Sequence, residues 1–342
     1  MSKLHLPPDL EKKLDKEKIQ LKSAGELKKI TVMFVNLRGF TQILEKKDIR
    51  KVLKFLNIYF NMIASIVQNY DGIVDKYMGD SMMAVWGLPM GKKADVYNAI
   101  RAAIEIRIGM FHLNPELVSI WEVPLEVGIG VGTGIAITGF IGHSSRKDFT
   151  LVGKCINRAA RLQSIASDNR IFIDIATADE TKSYSYLLYI PRKSYSHILP
   201  DEKIYELEGI YEFNREFESL RKHPRVIVAK VVGITKLSTN QRKAALIKSI
   251  GEGGLGIEIH DHKNFDLEIG DKAIFDSRGL SLLGKEDAKG LVMHKKELKG
   301  SGIFRIKTWD IGVKFINIPE ETKKKLLKIL MASKKVSDFI NI

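Results

Sequence analysis

Cysteine is almost absent from this chain, which has Cys155 as its single thiol in 342 residues. One thiol cannot form an internal disulfide, so the composition favours a reducing cytoplasm as the setting. A buried cysteine behaves as a small apolar side chain, and this is the favoured role of Cys155. A catalytic role is the alternative.

Long hydrophobic runs are also lacking. The longest apolar stretches, such as Ile129–Ile141, contain several glycines and fall well short of a membrane-spanning helix. No signal peptide is visible, because Pro7 and Pro8 are followed by a densely charged stretch. With 44% hydrophobic residues in 342, the composition predicts a soluble protein without a transmembrane segment and with core enough for two ordinary domains.

Acidic residues are outnumbered, with 41 Asp and Glu against 55 Lys and Arg and a net charge of +14. A basic surface attracts polyanions without sequence specificity. The lysines are nevertheless spread out, and the clearest clusters are interleaved with leucine and isoleucine at helical spacing. They comprise Lys12, Lys13, Lys16 and Lys18, and then Lys323, Lys324, Lys325, Lys328, Lys334 and Lys335. Solvated helix faces are the favoured interpretation, contact with anionic lipid or another acidic surface is the alternative, and no specific nucleic-acid partner is predicted.

The pattern of apolar residues divides the chain into units. Residues Leu10–Lys29 alternate charges with leucine and isoleucine at roughly heptad spacing, which predicts a short helix that could pair with its copy. From Ile30 onward, strand-like and helix-like runs alternate, which predicts an α+β domain with a helix-covered sheet. From about Phe217 to Leu330, short strand-like runs predict a small antiparallel β-barrel. The predicted boundaries are 1–28 for a charged helical segment, 29–212 for the first domain, 213–330 for the barrel and 331–342 for a basic tail.

Four separated motifs follow one another in the first domain. They read FVNLRGFT from Phe34, GIVDKYMGD from Gly72, VGIGVGTGIAITGFIG from Val127 and KDFTLVGKCINRAARL from Lys147. Together they resemble the catalytic domain of class III adenylate and guanylate cyclases. The resemblance implies a ferredoxin-like fold, a mixed sheet with covering helices, and the conversion of a nucleoside triphosphate into a cyclic nucleotide and pyrophosphate.

One residue departs from the metal-binding pattern of that family. Asp80 matches the second of two metal-binding aspartates, whereas Asn36 stands where the first is expected. The resemblance implies two Mg²⁺ or Mn²⁺ ions held by Asp80, Asn36 and the carbonyl of Leu37, because such hard ions prefer oxygen ligands. Loss of one carboxylate is expected to weaken one of the two metal sites.

The resemblance also implies an ATP-binding set. The backbone amides of Gly39, Phe40 and Thr41 would hold the phosphates at a helix N-terminus. Lys76 and Thr150 would read the adenine edge, with the ammonium as donor and the hydroxyl as donor or acceptor. Glu and Cys occupy these two positions in guanine-selective relatives, so the resemblance favours ATP over GTP.

Catalytic residues are implied on a helix that follows Thr150. Asn157 would orient the ribose and Arg161 would stabilise charge on the phosphates; the two lie one helical turn apart. A late lysine of the family has only Lys193 or Lys203 as candidates. Because the family builds each site from two protomers, the resemblance implies a homodimer, or a heterodimer with another cyclase chain.

The last third of the chain contains LRKHPRV, KSIGEGGLGIEI and GIFRIKTWDIGVKF, which resemble the PilZ domain, a receptor for cyclic di-GMP. The resemblance implies binding by Arg221, Arg225, Ser249 and Gly254, since arginine can hold a phosphate bidentately and stack on guanine. Two of the three positions of the second motif depart from the family pattern: Ser249, whose hydroxyl can still donate and accept a hydrogen bond, and Gly251, which has no side chain. The alternative is a barrel that serves as a packing or partner module.

Two functions therefore remain open from the sequence. The first is an adenylate cyclase of low activity whose output the barrel tunes. The second is a pseudo-cyclase, a dimeric nucleotide-binding or scaffold module. Retention of Lys76, Asp80, Thr150, Asn157 and Arg161 favours the first, whereas Asn36 and the lack of a clear late lysine favour the second.

Overall fold

The chain forms two compact units in a computed structural model. The structure describes residues 3–19, 25–46, 48–121, 125–143, 145–191, 195, 198–199, 202–211, 225–260, 265–276, 287–298 and 307–340. The first unit consists of Met1–Met110, Trp121–Lys182 and Leu187–Leu207, and the second of Phe111–Ile120, Ser183–Tyr186 and Glu208–Ile342.

Helices and strands alternate through the first part of the chain, as predicted. In chain order they are β1 (Lys3–His5), α1 (Pro8–Glu17), β2 (Glu26–Arg38), α2 (Phe40–Lys46), α3 (Ile49–Asn69), β3 (Ile73–Met78), β4 (Ser81–Trp86), α4 (Asp95–Trp121), β5 (Glu126–His143), β6 (Arg146–Val152), α5 (Lys154–Ile165), β7 (Ile171–Asp174), α6 (Ile175–Thr181), β8 (Ser185–Tyr189) and β9 (Ile204–Tyr211).

The sheet of the first unit is mixed, which confirms the predicted fold class. Its strand order is β9, β7, β5, β2, β4, β3. Strands β5 and β7 run parallel, whereas β2 pairs antiparallel with both β4 and β5. The middle of β2 is buried from Ile30 to Val35 and is apolar there except for Thr31, because this central strand is covered on both faces.

Helix α3 shows how local sequence sets one of the covering helices. Asp48 caps its N-terminus, with a carboxylate oxygen that accepts from the backbone N–H of Arg50 at 2.8 Å. Its buried side chains recur at helical spacing and comprise Val52, Phe55, Tyr59, Met62, Ile63 and Val67. One apolar stripe therefore faces the core and the charged residues face outward.

The amino-terminal segment differs from the prediction of a helix over Leu10–Lys29. Helix α1 ends at Glu17, where Lys18 adopts a left-handed conformation with φ 54°, and Glu26 already begins β2. Leu10 and Leu14, the apolar stripe of α1, are buried in a core cluster of the first unit. The leucines are spaced to cover a sheet within the same chain, so their burial there replaces the expected pairing with a second copy.

The second unit contains a closed antiparallel barrel of six strands, which confirms the predicted barrel. The strands are β10 (Arg225–Lys236), β11 (Arg242–Gly251), β12 (Gly254–His260), β13 (Lys272–Phe275), β14 (Ala288–Leu298) and β15 (Thr308–Asn317). Their order is β11, β12, β15, β14, β13, β10, and β10 pairs again with β11 to close the barrel. Closure removes the free sheet edges.

A helix, α7 (Glu320–Ile340), follows the barrel. It runs through the boundary predicted at residue 330, so most of the predicted basic tail 331–342 is helical. Leu326, Ile329 and Leu330 are buried with the barrel core, because residues three and four apart lie on one helix face. Within the described residues, no helix is both long and apolar enough to cross a membrane.

Candidate functional site

The three residues predicted to bind metal meet where β2 ends. Asn36 lies opposite Ser81 in the β2–β4 ladder. The backbone N–H of Leu37 donates to the carbonyl oxygen of Asp80 at 3.3 Å. The turn between β3 and β4 has Gly79 at φ +62°, a left-handed conformation that favours glycine. The antiparallel register thus brings residues 44 positions apart, Asn36 and Asp80, to one edge of the sheet.

Both ends of the Asn36 amide are already engaged. Its Nδ2 donates to Ser81 Oγ at 2.8 Å, and its Oδ1 accepts from Arg38 Nη1 at 3.1 Å. Arg38 also donates to the carbonyl oxygens of Ala166, at 2.8 Å, and Gln163. Burial lowers the pKa of Arg38, while the nearby charge of Asp80 raises it. A guanidinium stays charged in proteins, so Arg38 holds a permanent positive charge beside Asn36.

This donor set fits one hard divalent ion and does not fit two. Asp80 is the one carboxylate of the predicted set, and the carbonyl of Leu37 adds a neutral oxygen. The Asn36 oxygen is shared with Arg38, whose charge opposes a cation at the same place. Across the described residues, no group of three or more His, Cys, Asp or Glu side chains could hold a metal. Arg38 lies in the FVNLRGFT motif, but the sequence did not predict its hydrogen bonds to Asn36, Ala166 and Gln163.

The predicted phosphate-binding turn lies directly after β2. Gly39 has φ +74°, and the space where a Cβ would stand is open. Phe40 begins α2 and is only 8% exposed, so its ring anchors the turn, while Thr41 is exposed. The turn therefore places Gly39 in a left-handed conformation directly before a short helix, and phosphate binding there stays a prediction.

Lys76, predicted to read the base, lies beside an irregularity in β3. The β3–β4 register shifts between Val74 and Lys76, which leaves Asp75 as an extra residue. Lys76 Nζ is 3.2 Å from Asp75 Oδ2, and the two side chains are 42% and 1% exposed. Burial raises the pKa of the Asp75 carboxyl against the opposing effect of Lys76. Sequence reasoning missed Asp75, because a register shift cannot be read from residue spacing.

Thr150, Asn157 and Arg161 lie on consecutive elements. Thr150 pairs with Gly139 in the β5–β6 ladder. Asn157 and Arg161 are both exposed on α5, whose opposite side buries Cys155, Ala159 and Leu162. Arg161 Nη1 donates to the carbonyl oxygen of Ile198 at 3.3 Å. The helix therefore presents the two predicted catalytic side chains to solvent together, one turn apart. Burial raises the pKa of the Cys155 thiol, as befits a packing residue.

An arginine that was not predicted docks α5 onto the sheet. Arg158 Nε lies 3.0 Å from Asp174 Oδ2, and Arg158 Nη1 lies 3.5 Å from Glu202 Oε1. Asp174 caps α6 by accepting from the backbone N–H of Thr177 at 2.9 Å. Lys203, one of the two late-lysine candidates, is exposed directly before β9 and next to Glu202. The other candidate, Lys193, lies outside the described residues.

In the barrel, two predicted ligand-binding residues contact each other. Arg225 Nη1 donates to Ser249 Oγ at 2.8 Å across the β10–β11 pair. A Cβ at Gly256 would stand 2.9 Å from that hydroxyl and 3.1 Å from Arg225 Nη1, so the glycine leaves room for this contact. The other predicted arginine, Arg221, lies outside the described residues.

Gly254, the fourth predicted ligand residue, has a packing reason to be glycine. It pairs with Lys314 of β15, and a Cβ there would stand 1.9 Å from the carbonyl oxygen of Val313. No side chain can occupy that space without moving the backbone. The structure thus accounts for this glycine within the barrel itself.

Comparison with known families assigns both parts of the chain. A family model described as the adenylate and guanylate cyclase catalytic domain matches residues 23–196, which is half of the chain. A second, described as the PilZ domain, matches residues 219–332. Both resemblances drawn from the motifs are confirmed.

Similar proteins and structures agree with this assignment. Two uncharacterized proteins of Mycobacterium tuberculosis are 30% and 31% identical over 165 and 153 residues, which cover 48% and 44% of this chain. The aligned parts are 29% and 25% of those relatives, so the chain spans less than a third of their length. The adenylyl cyclase CyaB from P. aeruginosa is 29% identical with a TM-score of 0.50, covering 57% of this chain and 98% of that one. The guanylyl cyclase Cya2 is 26% identical with a TM-score of 0.50, covering 57% and 97%.

Proposed function

Since this chain belongs to the adenylate and guanylate cyclase catalytic domain family and carries a PilZ domain, we propose that it is an adenylate cyclase of low activity, which converts ATP to cyclic AMP and pyrophosphate as a dimer. Helix α5 is the observation that carries the proposal. It is buried on one side and presents Asn157 and Arg161 together to solvent. A nucleotide site needs such polar groups exposed, because they must contact a ligand rather than the core.

The reaction joins the ribose 3′-oxygen to the α-phosphorus while the bond to the bridging oxygen of the β-phosphate breaks. The hydroxyl proton leaves to water or a phosphate oxygen, and pyrophosphate departs. Asn157 orients the ribose, and Arg161 stabilises charge that grows on the phosphates. Divalent Mg²⁺ or Mn²⁺, when bound at Asp80 and the Leu37 carbonyl, supplies Lewis-acid chemistry and neutralises the triphosphate.

ATP is the proposed substrate rather than GTP. The Lys76 ammonium is a donor only, so it suits a ring nitrogen acceptor of adenine, and the Thr150 hydroxyl can complete the base contact. Asp75 supports this assignment, because its buried carboxyl group lies 3.2 Å from the ammonium and holds it in place.

Two protomers are proposed to share each site. Asp80 and the Gly39–Thr41 turn come from one protomer, and Lys76, Thr150, Asn157 and Arg161 from the other. A homodimer carries Asn36 in both sites. A heterodimer with a cyclase chain that has both aspartates would contain one site with the complete metal-binding pair. A cytoplasmic location is proposed for either dimer.

A pseudo-cyclase is the second candidate, and one observation favours it. The Asn36 amide is held by Ser81 and Arg38, at 2.8 Å and 3.1 Å, and Arg38 brings a positive charge to the place of the first metal. A site of this kind could bind nucleotide without turnover. The chain would then act as a dimeric nucleotide-binding or scaffold module.

Cyclic AMP formation by the purified protein with ATP and excess Mn²⁺ separates the two candidates. We expect slow turnover, and we expect Asn36→Asp to raise it by at least about tenfold, since the carboxylate restores a charged ligand. The Asn36→Asp, Asn157→Ala double variant is the control and should lose the gain. No product from the parent chain together with strong activity of Asn36→Asp would establish the pseudo-cyclase.

We propose cyclic di-GMP as a ligand of the barrel, supported by the contact of Arg225 with Ser249 at 2.8 Å. An arginine at a strand end beside a hydroxyl suits a guanine and phosphate ligand. Titration calorimetry should show binding that Arg225→Ala abolishes. Arg242→Ala is the control, since Arg242 lies at the opposite end of the same strand pair. Absence of heat at high micromolar ligand would leave the barrel a packing or partner module.

A further inference from the structure

One short segment, Lys3–Glu17, contacts both strands that carry the proposed base-reading residues. The segment comprises β1 and α1. Lys76 lies on β3, the last strand of the sheet order, and Thr150 lies on β6. Neither strand is near this segment in sequence, so the association is a product of the fold.

Strand β1 extends the β5–β6 hairpin. It pairs parallel with β6, with Lys3, Leu4 and His5 opposite Arg146, Lys147 and Asp148. Strand β6 pairs on its other side with β5. The pairing with β1 ends two residues before Thr150, and it supplies hydrogen-bonding partners to an edge that would otherwise be open.

Helix α1 holds the start of β3. The Asp9 carboxylate accepts from Gln68 Nε2 at 3.0 and 3.1 Å and from the backbone N–H of Val74 at 3.4 Å. Lys13 Nζ donates to the carbonyl oxygen of Asp71 at 2.6 Å. Val74 directly precedes the register shift that sets the positions of Asp75 and Lys76. The hydrogen bond from Val74 therefore lies two residues from the proposed base-reading lysine.

Apolar contacts connect α1 to a third element of the site. Leu10 is fully buried and Leu14 is 7% exposed, in one cluster with side chains from β3, β6 and α5. The members on those three elements are Ile73, Phe149, Leu151, Cys155 and Ala159, and the cluster also includes Ile30, Val32 and Phe34 of β2 and Met83 and Val85 of β4. Phe149 and Leu151 flank Thr150 in the chain. Cys155 and Ala159 form the inner side of the helix that presents Asn157 and Arg161.

We propose that the segment Lys3–Glu17 positions the base-reading and ribose-reading half of the nucleotide site, with Asp9 and Leu10 as positioning residues. This inference rests on the proposed function. The strand pairing and polar contacts of this segment go to β3 and β6, whereas β2 and β4 share only its apolar cluster, in which Asn36, Gly39 and Asp80 have no place. Displacement of the segment should therefore weaken recognition of the purine and ribose more than it changes the environment of Asn36 and Asp80.

Nucleotide binding and amide hydrogen exchange test the proposal together. We use 3′-deoxy-ATP, which cannot cyclise, and compare the full chain with Leu10→Ala and Asp9→Ala. Affinity should fall by about tenfold in each variant. Amide exchange should rise more in β3 and β6 than at Asn36–Arg38, the end of β2. Leu10→Met should restore most of the affinity, because it nearly conserves volume.

Ile104→Ala is the matched control. Ile104 is 1% exposed in the first unit, on α4, which carries none of the proposed site residues. It should lower stability as Leu10→Ala does without a selective change in exchange or affinity. Unchanged affinity in Leu10→Ala and Asp9→Ala, or an equal loss in Ile104→Ala, would overturn the positioning role. Failure of the parent chain to bind 3′-deoxy-ATP would instead contradict the proposed function, and exchange in β3 and β6 would then decide the positioning role alone.

Discussion

At the scale of single residues, the contacts of Asn36 and Lys76 say more about the environment of the proposed site than the two residue types do. Asn36 differs from aspartate by one charge, yet its amide bridges Ser81 and Arg38, so the network suits an amide without a metal ion. Lys76 acts beside the buried carboxylate of Asp75. In both cases a charged neighbour within about 3.2 Å, Arg38 or Asp75, is part of the environment that a ligand of the proposed site would meet.

His260 provides a prediction about pH at the same scale. It is 8% exposed; Nε2 lies 3.0 Å from the carbonyl oxygen of Phe111, and Nδ1 lies 3.1 Å from Thr308 Oγ1. Burial lowers its pKa to about 4, with the charges of His112 and Lys243 acting in the same direction. The unfolded chain, with an ordinary histidine pKa of about 6.5, binds the proton first as the pH falls.

Stability should therefore fall between about pH 6.5 and pH 4, by an amount on the order of 3 kcal/mol from this group. Urea unfolding of the second unit across that range measures the change. His260→Gln, whose amide can still donate to Phe111, should lose this part of the pH dependence. An unchanged slope in His260→Gln would show that other groups cause it.

At the scale of elements, register accounts for the glycines of the barrel better than motif matching does. Gly254 begins β12 and packs against β15 so closely that a Cβ would stand 1.9 Å from Val313 O. Its neighbour Gly253 has open space where a Cβ would stand. Packing therefore requires a glycine at Gly254, whereas the space beside Gly253 would accept a Cβ.

Gly254→Ala should destabilise the barrel by about 1 to 3 kcal/mol or more, as overpacking does in closely packed interiors. Gly253→Ala should be nearly neutral and serves as the matched control. Thermal unfolding of the two variants, followed by circular dichroism, provides the comparison. Equal stabilities would mean that β12 can move away from β15 without cost.

At the scale of the whole molecule, the two halves of the proposed site predict complementation between protomers. In an Asn36→Asp background, Asp80→Ala removes the metal half and Arg161→Ala removes the catalytic half. Each variant alone should be inactive. Mixed in equal amounts, they should regain about a quarter of the activity of Asn36→Asp itself, since half of the dimers form as mixed pairs and each mixed pair holds one intact site of two.

Cyclic AMP formation in the mixture measures this effect, and the two single variants kept apart are the control. Activity that stays at the level of the separate variants would mean that a site is built within one protomer, or that protomers do not exchange. Refolding the two variants together removes the second explanation.

Sequence patterns were enough to predict the family, the mixed sheet and the barrel. Their signals are local: FVNLRGFT, GIVDKYMGD and the Asn157–Arg161 spacing each depend on neighbours along one strand, turn or helix. The same locality explains the wrong extent of the helix expected over Leu10–Lys29. A leucine stripe indicates that a face is buried, and it does not say what buries it.

Only the tertiary structure decided which distant side chains meet. The hydrogen bonds of Arg38 to the carbonyl oxygens of Ala166 and Gln163, the ion pair of Arg158 with Asp174, and the contacts of the segment Lys3–Glu17 with β3 and β6 all join distant residues through strand pairing and packing. The position of Asp75 beside Lys76 is set by a register shift. A one-residue shift in strand register moves every side chain to the other face, and residue spacing along a chain does not record such a shift. Composition and motifs thus specify what this protein resembles, whereas register and packing specify which charges lie at its proposed metal and nucleotide sites.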